Sequence, residues 1–398
     1  MSEPLAGLKS LSLSDESGGP NNQLLSDAAA AQVDKTSDVK DSEREVVQQQ
    51  NQPRARLVGP EIVQLPPGWS DDESEPEEEG GDEGARTEDR NMLTSLDDNT
   101  DDLELTHSSL DSEKLLELEL PRFGPYLKRL CLRQNRITSL DESIFHHLTE
   151  LEELDAYDNR VGVLKGLEKC PKLRILDLSF NLIRSLNPSS TDPPPLSAFT
   201  KLETVYFIQN KISLIEGLEG LGHSLRSLEL GGNRIREIRG LDKLVNLEEL
   251  WLGKNKIRKL ENLETLTKLK ILSLQSNRII KLENLSSLKD LEEIYLSHNG
   301  VLQIEGLGDN KKLRVLDLGN NRIEKIQGLE NCTELEEFWA NNNKIPNLST
   351  LSHLEKHSHL ETVYLEHNPC QTNDQAGYRR KVILGLPQLK QVDATFVR

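Results

Sequence analysis

Tyr206, Trp251, Tyr295, Trp339 and Tyr364 share one place in the chain's recurring pattern, the fifth position of an L-x-x-L-x-L-x stretch in which hydrophobic residues fill the capital positions. Other copies of the pattern put Cys131, Asp155, Asp177, Glu229, Ser273 and Asp317 there. The third and seventh positions add Glu153, Glu249, Glu293, Glu337 and Glu366, with bases only at Arg129 and Arg133. These residue types do the chemistry of recognition. Tyr and Trp join a large contact area to a polar handle and are enriched at binding hot spots. Carboxylates beside them attract a basic protein surface and repel a phosphate backbone, so nucleic acid is not an expected ligand.

Covalent chemistry has no comparable foothold. The nine histidines include His146, His147, His353, His357 and His359 in segments away from the L-x-x-L-x-L stretches, and none pairs with a Ser, Cys or carboxylate in a recognised motif. No phosphate-binding glycine loop follows a strand pattern. Cys131, Cys170, Cys332 and Cys370 are too scattered for metal-ligand spacing, which predicts free thiols rather than zinc or disulfides. The reading is a non-enzyme with neither cofactor nor metal. The chain shows no long uncharged apolar run and no basic-then-apolar leader, so a soluble intracellular protein with no membrane span is expected.

The unit that must position the column is seen most clearly in LEELWLGKNKIRKLENLETLTK, residues 247–268. Leu250 and Leu252 alternate as strand residues do, whereas Ile257, Leu260, Leu263 and Leu266 step by three, as in a 3₁₀-like or short helical return. With Asn255 this is the leucine-rich-repeat signature. One such coil cannot bury its own leucines, so stacked coils supply the core and their strands form a parallel concave sheet. Asn255 is expected to turn inward and satisfy loop backbone groups. The same asparagine recurs at Asn135, Asn159, Asn181, Asn210, Asn233, Asn277, Asn299, Asn321, Asn343 and Asn368, every 22 residues between Asn233 and Asn343. A helical bundle would not alternate between steps of two and three within every unit. In this geometry the third, fifth and seventh positions should form three exposed columns on the concave face. A competing reading has the aromatics merely stacking along the sheet.

The fold class is therefore α/β: a leucine-rich-repeat solenoid with a parallel concave sheet, short helical or 3₁₀ convex segments, caps at both ends and a disordered acidic N-terminal tail. Residues 1–100 are read as that tail, because a composition rich in Ser, Gln, Gly, Asp and Glu cannot bury enough apolar surface to offset chain entropy. Of the 67 acidic residues 30 lie in residues 1–120, against 9 of the 48 basic ones, so the rest of the chain is close to neutral. Ser70 and Ser74, directly before acidic residues, are candidate phosphorylation sites, although the tail also reads simply as a solubilising one. Residues 101–126 are read as an N-terminal cap half-repeat, with His107 in the asparagine place. The repeats span 127–368, about eleven coils, and the C-terminal cap spans 369–398. Two coils are long, at LDESIFHHL and at NPSSTDPPPLSAF, where Pro193, Pro194 and Pro195 predict a tolerated surface bulge. Tyr378 and Val382, one helical turn apart, predict a cap helix ended by Pro387, with Arg379, Arg380 and Lys381 on its solvated face.

Several stretches carry a family resemblance: LCLRQNRI, LGKNKI, IYLSHNG, LEEFWANNN, LETVYLEHNP and the ending YRRKV…DATFVR. Together, over roughly residues 101–398, the chain resembles the leucine-rich-repeat regulatory subunit of type-1 protein phosphatase. The resemblance implies that the concave face grips the catalytic subunit through Asp177, Tyr206, Glu229, Trp251, Asp317, Glu337, Trp339 and Tyr364, and the column itself adds Tyr295. Tyr206 and Trp251 stand where the family commonly has Phe. No R/K-x-V-x-F docking peptide occurs in the tail, so binding would rest on the folded surface. The resemblance further implies a nuclear and cytoplasmic protein that controls phosphatase activity, maturation or location during mitotic chromosome segregation, with room for a further phosphatase inhibitor protein. The alternative is a spliceosomal or motor-associated leucine-rich-repeat adaptor.

Overall fold

A computed structural model describes residues 93–188 and 193–397. Residues 1–92 of the acidic tail, with Ser70 and Ser74, and the tip of the proline-rich insert at 189–192, lie outside the described residues. Three-residue strands recur once per coil: β1 (Asp102–Glu104), β2 (Arg129–Cys131), β3 (Glu153–Asp155), β4 (Ile175–Asp177), β5 (Thr204–Tyr206), β6 (Ser227–Glu229), β7 (Glu249–Trp251), β8 (Ile271–Ser273), β9 (Glu293–Tyr295), β10 (Val315–Asp317), β11 (Glu337–Trp339) and β12 (Thr362–Tyr364). They pair in sequence order and in parallel. The C-terminal cap then adds β13 (Gln391–Val392), parallel to β12, and β14 (Thr395–Phe396), which turns back antiparallel. The fold is a leucine-rich-repeat solenoid whose core is one continuous column of buried, mainly aliphatic side chains, with Phe123, Phe145, Phe199, Phe207 and Phe338 among them.

Coil length decides what the convex return looks like. The 22-residue coils cross it in turns alone, and every longer coil winds a helical segment. The long coil at LDESIFHHL forms α2 (Glu142–Phe145), capped by Asp141, after α1 (Ser112–Glu117) in the N-terminal cap. Other long coils form 3₁₀ segments at Pro195–Ala198, Glu219–Leu221 and Leu348–His353. The span to be crossed is set by the neighbouring coils. Surplus residues are absorbed by winding at about 1.5–2 Å per residue instead of about 3.3 Å for extended chain.

Each framing asparagine acts as expected. The Asn255 side-chain amide donates to the carbonyls of Leu230 (2.9 Å), Leu252 (3.1 Å) and Gly253 (3.2 Å), and its oxygen accepts from the Ile235 amide (3.0 Å). It thus satisfies its own loop and staples it to the previous coil. Two left-handed residues in each 22-residue coil make these turns possible. One directly precedes the asparagine, and the other follows it by seven residues as Gly166, Gly240, Asn262, Asn284, Gly306 or Gly328. A Cβ at Gly240 would lie 2.5 Å from the Ile215 carbonyl oxygen, whereas Asn262 offsets its strained backbone by donating to the Ile238 carbonyl at 2.6 Å.

The caps revise some expectations. Strand register pairs Leu103 with Leu130, which puts His107 (φ 54°) opposite Gln134 (φ 56°) in the left-handed place and Ser108 in the asparagine place. Packing begins ahead of residue 101: Leu93 is buried and Arg122 donates to the Leu96 carbonyl at 3.1 Å. After α3 (Pro369–Thr372), α4 (Gln375–Gly385) buries Tyr378 and Val382 and ends before Pro387. Arg379 is not simply a solvated residue, since its guanidinium donates to the carbonyls of Val392 (3.0 Å) and Phe396 (2.9 Å). Lys381 pairs with Asp374 (2.5 Å). Cys131, Cys170, Cys332 and Cys370 are free and buried, and desolvation pushes the Cys170 thiol up to about 12 and those of Cys332 and Cys370 to about 11. Among the described residues no helix is long and apolar enough to cross a membrane.

Candidate functional site

The residues of the fifth column come into register along the concave sheet: Asp177 beside Tyr206, Tyr206 beside Glu229, Glu229 beside Trp251, and Asp317 between Tyr295 and Trp339, with Tyr364 next. The column is less open than a bare strand face would be. Only Trp251 and Trp339 are half-buried, while Tyr206, Tyr295 and Tyr364 are each 8% exposed and Asp177, Glu229 and Asp317 are buried. The expectation of an exposed column fails here for a packing reason, which the sequence of β7 to β11 shows.

Glu-Leu-Trp, Ile-Leu-Ser, Glu-Ile-Tyr, Val-Leu-Asp and Glu-Phe-Trp follow one another, so a large ring alternates with a small side chain from strand to strand. Neighbouring strands lie about 4.8 Å apart, which would leave next-nearest rings well separated if they stood upright. Instead they lean across the small residue. Trp251 and Tyr295 meet over Ser273 with centroids 6.3 Å apart, Tyr295 and Trp339 over Asp317 at 6.5 Å, and Trp339 meets Tyr364 directly at 5.7 Å. The aromatics do stack along the sheet, in a two-coil rhythm that also presents both indoles to solvent. Each ring on β7, β9 and β11 points its polar atom at the glutamate two residues earlier: Trp251 Nε1 to Glu249 (3.4 Å), Tyr295 Oη to Glu293 (2.7 Å) and Trp339 Nε1 to Glu337 (3.1 Å). These three Glu-x-aromatic pairs are the unit of the face. Tyr364 accepts from Gln391 of the cap at 2.7 Å, which ties the end of the row to the end of the fold.

Asp317, placed by its register in a patch with Glu337 and Trp339, has its carboxylate in the floor beneath the rings. Its Oδ1 accepts from the Gly319 amide at 2.9 Å, and burial raises its pKa to about 6 against the opposing hydrogen bonds from Ser297 and Gly319. Asp177 repeats the arrangement at the other end: it accepts from the Ser179 amide at 2.8 Å, and burial again raises it to about 6. Glu337 is also raised by desolvation, opposed by the bond from Trp339. Glu337 is the partly exposed carboxylate of its patch.

One group of side chains lies outside the three columns. Phe180 occupies the left-handed place before Asn181, where the other coils carry polar residues or glycine, and it does so at φ 56° with 42% of its surface exposed. A bulky side chain is an outlier there. Its ring packs 4.9 Å from that of Tyr157, over which the Arg133 guanidinium lies at 4.2 Å while also pairing with Asp155 at 3.1 Å. The signal was available, since Phe180 is the one aromatic at this place among the coils. Among the described residues no cluster of His, Cys, Asp and Glu could hold a metal ion.

Three leucine-rich-repeat family models match residues 125–183, 223–265 and 280–398. A stretch of 127 residues is 39% identical to an Arabidopsis thaliana "protein phosphatase 1 regulatory inhibitor subunit PPP1R7 homolog", covering 31% of this chain and 37% of that one. Another of 101 residues is 43% identical to the Saccharomyces cerevisiae "protein phosphatase 1 regulatory subunit SDS22", covering 25% and 29%. A third of 50 residues is 58% identical to the Homo sapiens "protein phosphatase 1 regulatory subunit 7", covering 13% of each. The matched stretches thus span little more than a third of the relatives' length at most. Among solved structures, a Listeria monocytogenes internalin aligns at 21% identity and TM-score 0.57 over 78% of this chain and 89% of its own. A Leptospira interrogans leucine-rich-repeat protein aligns at 22% and 0.56 over 71% and 81%. These two speak to the fold alone.

Proposed function

The chain being a leucine-rich-repeat protein similar to regulatory subunits of protein phosphatase 1, we propose that it is a non-catalytic subunit that binds the catalytic subunit of a type-1 serine/threonine phosphatase through its concave face. The observation that carries this reading is the row of Glu-x-aromatic pairs from Trp251 to Trp339, continued by Tyr364. Two half-buried indoles in a rigid row have the size and preorganisation of binding anchors. Their paired glutamates keep negative charge at the rim, which suits a basic partner surface. Control of the phosphatase's activity, maturation or location, with a nuclear and cytoplasmic distribution and a part in chromosome segregation, belongs to the same proposal.

Copurification from cell extract separates this reading from a spliceosomal or motor adaptor. Recovery of a phosphatase catalytic subunit supports it, and recovery of splicing proteins or dynein chains in its place refutes it. On purified components, Trp339→Ala should weaken the complex by about 2 kcal/mol or more, as truncation of a hot spot does. The melting temperature should fall only slightly, because the indole is half-buried and lies outside the leucine core.

A further inference from the structure

The coil places one more residue in a fixed file, the x of the N-x-I step between the framing asparagine and the next core aliphatic. Its amide donates to the equivalent aliphatic's carbonyl on the previous coil, at 2.8 Å for Arg234, Arg278 and Lys344 and 2.9 Å for Arg160 and Arg322. This second backbone ladder holds the file at the coil spacing along the flank after the strands. The file is basic: Arg136, Arg160, Arg234, Arg278, Arg322 and Lys344 stand in it, all exposed, and it carries no acid.

The opposite flank shows what this scaffold does with charges that serve only the fold. Before the strands, bases meet acids one coil away: Lys172 with Glu150 (2.5 Å), Lys270 with Glu248 (2.6 Å), Lys312 with Asp290 (2.7 Å) and Arg314 with Glu336 (2.8 Å). Among the described residues none of the six bases named above forms an ion pair. Acids do occur close by in the frame, at Asp158, Glu237 and Glu324, yet they pair with none of these bases. Like charges repeated at the coil spacing repel one another, so the file costs stability that the same fold avoids on its other side.

The file is broken at Leu182 and again at Gly300, and apolar side chains surface beside the second break. Ile280 is 59% exposed and Leu302 53%, and the Leu302 amide donates to the Ile280 carbonyl at 3.3 Å, so the two sit on adjacent coils. A Cβ at Gly300 would lie 3.2 Å from Ile280 Cγ2, so the glycine leaves that side chain uncovered. No aromatic stands at the N-x-I place in any coil, which removes the stacking platform that single-stranded nucleic acid uses.

We propose that this flank is a second docking surface, distinct from the aromatic face, for an acidic protein segment with aliphatic residues within its run of carboxylates. The carboxylates lie along the arginine file and the aliphatics cover Ile280 and Leu302.

Fluorescence anisotropy on the full chain tests this with three labelled probes of equal length: a glutamate-rich peptide with two central leucines, the all-glutamate peptide and an oligothymidylate. The leucine-bearing peptide should bind about ten-fold tighter than either other probe, with affinity falling as salt rises. The R234E/R278E/R322E variant should lose at least about ten-fold, and the milder R234Q/R278Q/R322Q variant reads the same effect if charge reversal impairs folding. I280S/L302S should abolish the preference for leucine without touching binding of the all-glutamate peptide. Tighter binding of the oligothymidylate, unchanged affinity in a folded arginine variant, or no binding of either peptide would overturn the proposal.

Discussion

From β7 to β12 the concave face is a row of rings whose polar atoms are anchored on their own strands or, for Tyr364, on the cap, whereas from β1 to β3 it is a set of charges committed to one another. Arg129 pairs with Asp102 (2.5 Å) and Glu153 (3.6 Å), and Arg133 with Asp155 while lying over Tyr157. The difference teaches which end is ready to bind. A partner approaching the charged end must compete with existing ion pairs for the same groups. At the aromatic end each internal hydrogen bond orients a ring and leaves its exposed area available, so little ordering remains to be done on association.

The largest expected effect breaks the aromatic end from outside. Deleting residues 370–398 removes β13, β14, α4 and the Gln391 bond to Tyr364, and leaves the last coil's leucines and a strand edge in water. The truncated chain should aggregate or lose its cooperative melt in calorimetry. A soluble product that unfolds cooperatively would show that the cap contributes little. Next in size is Asp317→Lys, which forces an ammonium beneath Tyr295 and Trp339 and should destabilise by about 3 kcal/mol or more in chemical denaturation. Were the loss within about 0.5 kcal/mol, Asp317 would have to be reassigned to the surface.

The buried acids give a pH signature. Asp177 and Asp317 have folded-state pKa values raised to about 6, above the ordinary value near 4 of an unfolded Asp. Between about pH 4 and pH 6 the folded chain therefore binds more protons than the unfolded one. These two groups lower stability as pH rises through that window and add no further slope above it. Asp317→Asn should flatten the decline and raise the melting temperature at pH 7.5, with an effect of about 2 kcal/mol, because the amide keeps an acceptor for the Gly319 N–H without a charge to bury. Thermal melts across pH check it, and an unchanged slope in the variant would refute the assignment. The smallest effect is at the charged end. Phe180→Asn puts a residue tolerant of positive φ in the left-handed place and should gain about 1 kcal/mol, and a loss of stability would mean that the Tyr157 contact outweighs the strain.

Sequence pattern carried the fold because each coil repeats the same two periods and the same asparagine, so register could be counted without seeing a strand. For the same reason the column from Asp177 to Tyr364 was legible residue by residue. Its burial was not, because that depends on Ser273 and Asp317 being small enough for rings two strands apart to lean together, which is a cross-coil relation absent from any single repeat. His107 was misplaced by one residue because the half-repeat lacks the asparagine that sets the count. Phe180 escaped notice because its place lies beyond the strand and outside the three columns; its ring among polar residues and glycine was visible in the sequence, but the strain it carries shows only in the backbone angle.

Titration calorimetry of the type-1 phosphatase catalytic subunit into paired variants tests the central claim that the aromatic end of the concave face carries binding. Trp251→Ala with Trp339→Ala should cost at least about 100-fold in affinity, or about 2.7 kcal/mol, while Arg133→Ala with Phe180→Asn should cost less than about ten-fold, both variants retaining a cooperative melt. Wild-type affinity in the folded tryptophan pair, or a larger loss in the Arg133 and Phe180 pair, would contradict the account.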